Sequence, residues 1–100
     1  MEHLKSYSLE IAERLKSLKG VIGYQNEKGE KQIRTLVDGN AIFITFMIEN
    51  LEVLQKIDKT IPPHYYFSAK GKKVIIQYHI TKELSEFIAH KYLFNEKILK

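Results

Sequence analysis

The chain of 100 residues contains no cysteine and only two prolines, which are adjacent at Pro62 and Pro63. The absence of cysteine excludes a disulfide scaffold, a cysteine-ligated zinc site, an iron–sulfur cluster and a thiol nucleophile. A chain of this length buries roughly two-thirds of the surface that its unfolded state exposes. The sequence therefore predicts a single domain that folds without metals or crosslinks.

Long apolar runs are also absent. The N-terminal residues have neither an apolar core of signal-peptide length nor a small-residue cleavage site. The longest apolar stretch runs from Ala41 to Ile48 and is interrupted at Thr45. This stretch is far shorter than the ~20 residues of a membrane-spanning helix. We therefore expect a cytoplasmic protein with no membrane partner.

Arginine is scarce among the basic residues. The 16 lysines and arginines outnumber the 12 acidic residues and give a net charge of +4, but only Arg14 and Arg34 are arginines. Proteins that read base edges favour arginine, because its planar fork makes two parallel hydrogen bonds. The one dense basic run, Lys70-Gly71-Lys72-Lys73, contributes most of the net charge. Any nucleic-acid binding would therefore depend on this run.

Apolar spacing predicts three helices and five strands in the order αβββαββα. Apolar residues recur at intervals of three and four in the helices and alternate along the hairpin strands. Because tight turns join consecutive strands, the fold class is α+β, with a five-stranded antiparallel sheet packed by helices. The predicted helices cover about residues 4–19, 50–60 and 81–98, and the predicted strands cover 21–26, 32–37, 41–48, 64–69 and 73–80.

Individual residues mark the ends of these elements. Asp38-Gly39 predicts a type I′ hairpin turn, which needs positive φ at both central positions. The strand 41–48 is apolar on both faces, so we expect it in the middle of the sheet. Pro62-Pro63 prevents the second helix from continuing, and Thr81 is the predicted N-cap of the third.

Residue arrangements typical of an enzyme are absent from the sequence. The chain contains no Gly-x-Ser-x-Gly elbow and no phosphate-binding glycine loop. Its acidic residues fall on predicted helix surfaces or in turns, whereas paired carboxylate chemistry needs a rigid frame. His64 and His79 would face each other if the hairpin turn centres on Gly71-Lys72, but neither strand supplies a third metal ligand. We therefore expect no catalytic residue, no metal site and no cofactor.

The segment 64–73 combines three aromatic residues with three lysines and is a candidate nucleic-acid contact. Lysines at the turn can neutralise phosphates, and an exposed ring can stack on a base. Strand alternation points Tyr66 away from Tyr65 and Phe67. The alternative is that Tyr65 and Phe67 belong to the core while the lysines protect a sheet edge. The candidate contact residues are Tyr66, Lys70, Lys72 and Lys73.

The C-terminal segment is more apolar than the tail of a small monomer requires. The third predicted helix already has an inward apolar stripe, and Leu93 and Phe94 cannot join it. They lie about 100° and 200° from Tyr92 around the helix axis. Apolar surface that does not fit a core usually marks an interface, although a helix that bends and packs inward is the alternative. The candidate interface residues are Tyr92, Leu93, Phe94, Ile98 and Leu99.

Two resemblances point to dimeric adaptors. The element order αβββαββα is similar to that of the small dimeric secretion chaperones over nearly the whole chain. The segment from Leu15 to Gly23, followed by Gly29, resembles the opening of the roadblock-type dimerisation domains. The strand 41–48 stands where that family has a helix. Both resemblances imply a non-enzymatic dimer, and neither assigns a functional residue.

The sequence as a whole favours a small non-enzymatic binding or adaptor protein that acts through protein–protein contacts. We expect a homodimer that uses the third helix and an exposed sheet surface, since two-fold dimers are the commonest form of self-association. The alternative function is nucleic-acid binding through the segment 64–73.

Overall fold

The computed structural model describes residues 2–91. The candidate interface residues Tyr92, Leu93, Phe94, Ile98 and Leu99 lie outside the described residues. In chain order, the elements are α1 (Glu2–Lys16), β1 (Val21–Ile22), β2 (Tyr24–Gln25), β3 (Lys31–Gln32), β4 (Arg34–Asp38), β5 (Ala41–Ile48), α2 (Val53–Thr60), β6 (Tyr66–Lys70), β7 (Lys73–His79) and α3 (Lys82–Ala89).

Strand β5 lies in the middle of a five-stranded antiparallel sheet, as its apolar character on both faces predicts. On one side it pairs with β7 over seven residues, from Ala41 opposite His79 to Met47 opposite Lys73. On its other side it pairs with both β4 and β1, which follow one another along the same flank. Strand β6 pairs with β7 and forms the far edge. The predicted α+β class is therefore confirmed.

The core lies between one face of this sheet and the helices. Alternate residues of each strand point to the same face, and those of β5 and β7 on the helix side are almost completely buried. Helix α1 packs against them with Tyr7, Ile11 and Leu15, and Ile57 of α2 and Ile88 of α3 complete the contact. The buried strand residues are Ile42, Ile44, Phe46, Ile48, Val74, Ile76 and Tyr78.

The helix ends agree with the sequence where a proline or a capping residue defines them. The Thr81 hydroxyl accepts a hydrogen bond from the Leu84 amide at 3.1 Å, which confirms the predicted N-cap of α3. Helix α2 ends at Thr60, just before the prolines. It begins three residues later than predicted, because the Asn50 side chain accepts from the Glu52 amide at 3.0 Å and forms a turn ahead of the helix.

The predicted strands 21–26 and 32–37 are each divided in two. Strand β4 occupies the flank of β5 from Ala41 to Thr45, and β1 pairs only with Met47 and Ile48 at the end of that flank. Beyond Gly23 the chain therefore leaves the main sheet and forms the small β2–β3 hairpin. This hairpin passes so close to Gly23 that an added Cβ would collide with the Gln32 backbone.

The Asp38-Gly39 signal predicts the β4–β5 hairpin correctly but its turn type wrongly. Asp38 pairs with Ala41, so the central residues are Gly39 and Asn40. Of these only Gly39 has positive φ, at 59°. Positive φ at the first central position alone is the pattern of a type II′ turn, which needs one glycine instead of two permissive residues.

Candidate functional site

The sheet face opposite the core has no fully buried residue among those that the structure describes, and we call it the open face. Because residues directly opposite in an antiparallel ladder point to the same side, the pairing register defines its rows. One row contains Leu36, Phe43, Gln77 and Tyr66. The open face consists of Ile22, Arg34, Leu36, Asp38, Ala41, Phe43, Thr45, Met47, Tyr66, Ser68, Lys70, Lys73, Ile75, Gln77 and His79.

The two central strands of the open face carry three large apolar side chains, together with Thr45 and Gln77. Phe43 and Met47 of β5 and Ile75 of β7 are half-buried by their neighbours alone. At the margins, the side chains of Leu36 and Tyr66 are 58% and 67% exposed. A contiguous apolar surface on a small protein usually marks a binding site. The open face therefore presents apolar side chains that the core does not bury.

Charged residues lie at opposite corners of the open face. Lys70 and Lys73 face each other across the end of the β6–β7 hairpin. Asp38 lies at the diagonally opposite corner, at the other end of β4 and β5. The Arg34 guanidinium is stacked over the Tyr24 ring, 3.8 Å from its centroid. The basic corner and the acidic corner are therefore separated by the width and length of the face, with Thr45 and Gln77 between them.

Three of the candidate nucleic-acid contacts lie at this basic corner, and Tyr66 lies at the other end of β6. Tyr66, Lys70 and Lys73 lie on the open face, and Lys72 lies in the adjoining turn. The Tyr66 ring meets the His79 ring edge-on, with centroids 5.2 Å apart. Phe67, on the opposite side of β6, is 55% exposed and is therefore not a core residue.

Three tyrosines on the helix side have raised pKa values. Burial is the largest cause for Tyr7, Tyr65 and Tyr78. The Tyr65 hydroxyl also donates to the Asp58 carboxylate at 3.1 Å, and together these effects raise the pKa of Tyr65 to about 12. The Tyr78 hydroxyl donates to the carbonyl of Pro62. All three phenols therefore stay protonated near neutral pH and none is poised to act as a general base.

The two hairpin histidines do not form the cross-strand pair considered from the sequence. The turn does centre on Gly71-Lys72, but the ladder ends at Tyr66 and His64 has a positive φ of 69°. Both imidazoles line a cavity of about 540 Å³ that also contacts α3. Among residues 2–91, no group of three or more histidine, aspartate or glutamate side chains could hold a metal ion.

The sequence did not identify which residues form the open face. The alternation of β4 places Arg34, Leu36 and Asp38 together, but it does not show which side the helices cover. The contact between Arg34 and Tyr24 had no detectable signal, because it depends on how the β2–β3 hairpin folds against the sheet edge.

Within residues 2–91, no helix has the length and apolar character that crossing a bilayer requires. Comparison with family models, with curated proteins and with solved structures finds no match to this chain.

Proposed function

We propose that the protein is a non-enzymatic adaptor that self-associates through the open face, with a second copy of the chain as its occupant. The observation that carries this proposal is the group of apolar side chains on the open face, Phe43, Met47 and Ile75 on the central strands and the exposed Leu36 on β4. Covering these side chains removes apolar surface from water, which stabilises an assembly by about 25 cal/mol per Å².

The charges on the open face favour a particular arrangement of the two copies. The two-fold axis that we propose lies between the two sheets, parallel to them, and is perpendicular to the line that joins the charged corners. It places Lys70 and Lys73 of one copy over Asp38 of the other. The same axis brings Phe43 over Ile75 of the second copy, since these residues lie symmetrically about the centre of the face. The strands of the two sheets then cross at a steep angle, as in orthogonal sheet packing.

The size of the open face predicts a weak dimer. It is four strands wide, with neighbouring strands about 4.8 Å apart. A face of this width offers less area than a standard interface, which buries roughly 800 Å² on each partner. We therefore expect a dissociation constant in the micromolar range and a dimer that forms as the protein concentration rises.

Leu36→Lys is expected to weaken this dimer at least about tenfold, which corresponds to ~1.4 kcal/mol. The fold should be retained because the Leu36 side chain is already 58% exposed. The matched control is Leu51→Lys, since Leu51 is 67% exposed but precedes α2 and lies off the open face. Sedimentation equilibrium over a range of concentrations measures the effect. A wild-type chain that stays monomeric at high micromolar concentration, or equal effects of the two variants, would contradict the proposal.

Nucleic-acid binding is a second candidate function, supported by the position of Tyr66. Its exposed ring shares the open face with Lys70 and Lys73, and Lys72 adjoins them in the turn. Proteins that bind single strands combine rings that stack on bases with cations that contact phosphates, and here the ring and the cations lie about 13 Å apart at the two ends of β6. The scarcity of arginine in the chain favours backbone contacts over base reading.

Replacing Lys70, Lys72 and Lys73 by glutamate is expected to abolish binding of a labelled oligothymidine. With three phosphate contacts, the logarithm of the wild-type affinity should fall with the logarithm of salt concentration with a slope of about −2. The control reverses the same number of charges away from the hairpin, at Lys5, Lys56 and Lys59, which are all exposed. Fluorescence anisotropy measures both. This candidate is excluded by a wild-type chain that binds no oligothymidine at low salt, or by equal losses in both triple variants.

A further inference from the structure

We propose that the outer edge of β6 and the cavity beside α2 bind an extended peptide, in which acidic residues precede an aromatic or branched apolar residue. The peptide would add a strand to the sheet next to β6. This site adjoins the open face at Lys70, but it uses the backbone edge of β6 and the helix side of the sheet.

The first observation is the edge itself. Among residues 2–91, β6 pairs only with β7, and all five of its residues are exposed. Lys70 and Lys73 flank a two-residue turn, so they form the hydrogen-bonded closing pair of the hairpin. Bonded and non-bonded pairs alternate from that point, so Phe67 and Ala69 direct their N–H and C=O groups away from β7. These outward groups are a template for an added strand.

The second observation is an apolar cavity of about 190 Å³ between α2 and the β6–β7 hairpin. Leu54 and Ile57 line it from α2, and Phe67 and Ile76 line it from the strands. Every second side chain of an added strand would point to this side of the sheet, next to the half-exposed Phe67 ring. An apolar cavity of ~150 Å³ is large enough to hold benzene. The cavity beside β6 can therefore accept one aromatic or branched aliphatic side chain.

The third observation is the charge along the edge. Lys70 and Lys72 lie at the turn end of β6, where they can contact carboxylates of a ligand. At the other end, the Asp58 carboxylate accepts a hydrogen bond from the Tyr65 hydroxyl, so that end carries a negative charge. Every strand pair in the structure is antiparallel, and an antiparallel peptide has its N-terminal part beside Lys70. Acidic residues are therefore expected on the N-terminal side of the apolar residue.

A peptide fits this edge better than a second β6 does. The antiparallel arrangement that pairs all five residues of two β6 strands is centred on Ser68, and it places Ala69 of one copy opposite Phe67 of the other. Alanine is too small to occupy the cavity beside Phe67. A ligand with a larger apolar side chain at that position buries more apolar surface, and the peptide is therefore the occupant that we assign.

Selection from a phage-displayed library of random peptides, with the full chain as the target, tests the proposal. The expected result is enrichment of peptides in which acidic residues precede an aromatic or β-branched residue. A synthetic peptide of the selected sequence is then measured by fluorescence anisotropy. No enrichment, or enrichment without this pattern, would overturn the proposal.

The variant Ala69→Pro tests the binding mode. Proline removes the outward N–H of residue 69 but keeps the ladder to β7, and edge strands tolerate proline at such positions. The selected peptide should bind this variant at least about tenfold more weakly than it binds the wild type. It should bind the Ala69→Ser variant about as tightly as the wild type, because serine keeps the N–H. Equal binding to Ala69→Pro and wild type overturns the proposal. The proposal is also overturned if Ala69→Pro abolishes self-association of the chain but leaves peptide binding unchanged, because the occupant of the edge would then be a second copy.

A modified peptide keeps the test valid if Ala69→Pro unfolds the chain. N-methylation of the peptide at alternate positions that pair with β6 removes donors without any change to the protein. We expect this peptide to bind at least about tenfold more weakly than the unmethylated form, whereas methylation at the intervening positions should have little effect. Equal effects at both sets of positions would contradict strand addition.

Discussion

Replacing Phe46 by alanine is expected to lower the free energy of unfolding by about 3–5 kcal/mol. Phe46 lies in the central strand β5, pairs with Val74 of β7 and is 0% exposed beneath the helices. Truncation removes the buried ring and leaves a cavity that the surrounding strands cannot collapse to fill. The melting temperature of a domain of this size should fall by at least about 12 °C. Urea titration and thermal unfolding monitored by circular dichroism measure the change.

Phe67→Ala is the matched control for this prediction. Phe67 also points to the helix side of the sheet, but it lies on the edge strand β6 and is 55% exposed. Its removal should cost about 1 kcal/mol or less, because much of the ring is already in water. The contrast tests the placement of the core directly. Equal losses in the two variants would show that β5 is not the centre of the sheet.

Replacing Gly20 by alanine is expected to cost about 2–5 kcal/mol, from two separate effects. Gly20 has a φ of 96°, a conformation that costs an L-residue roughly 1–2 kcal/mol. An added Cβ would also lie 2.6 Å from Cγ2 of Val53, which is only 3% exposed and cannot move into solvent. Overpacking of this kind costs about 1–3 kcal/mol. A shift of the backbone at this position would also disturb a main-chain hydrogen bond, because the Gly20 carbonyl accepts from the Glu49 amide at 2.9 Å.

Gly71→Ala separates the two effects. Gly71 has a φ of 63°, but an added Cβ would meet nothing within 4 Å. Only the conformational cost of roughly 1–2 kcal/mol should therefore appear. A third variant that combines Gly20→Ala with Val53→Ala should recover part of the overpacking cost, and a double-mutant cycle measures that coupling. Denaturant unfolding that shows the same loss for Gly20→Ala and Gly71→Ala, with no coupling to Val53, would refute the packing argument.

The predictions that succeeded depend on local chemistry. The apolar strand 41–48, Thr81 and Pro62-Pro63 each mark a structural feature through their own residues, and the structure confirms all three. The first helix shows how far such signals reach. Its apolar spacing predicts a helix over about residues 4–19, whereas α1 covers Glu2–Lys16. Apolar periodicity identifies the helix and its buried face, but it does not define the last turn.

Errors arose where one segment competes with another for the same partner. The sequence of β1 and β2 reads as one strand, but β4 already occupies most of the flank of β5. The chain therefore breaks at Gly23 and forms a second, two-stranded sheet. Likewise, His64 continues the register that would place it opposite His79, yet the strand begins two residues later at Tyr66. Neither outcome is visible in the local pattern.

The sequence by itself determined the three helices, the strand 41–48, the last hairpin, the α+β class and the central position of β5, because apolar period, turn residues and caps act over a few neighbours. Only the tertiary structure decided which residues share the open face, that its charges lie at opposite corners, and that a cavity adjoins the free edge of β6. The physical reason is that β5 is apolar on both sides. Its sequence allows either face to be buried, and the packing of α1 against Ile42, Ile44 and Phe46 selects one.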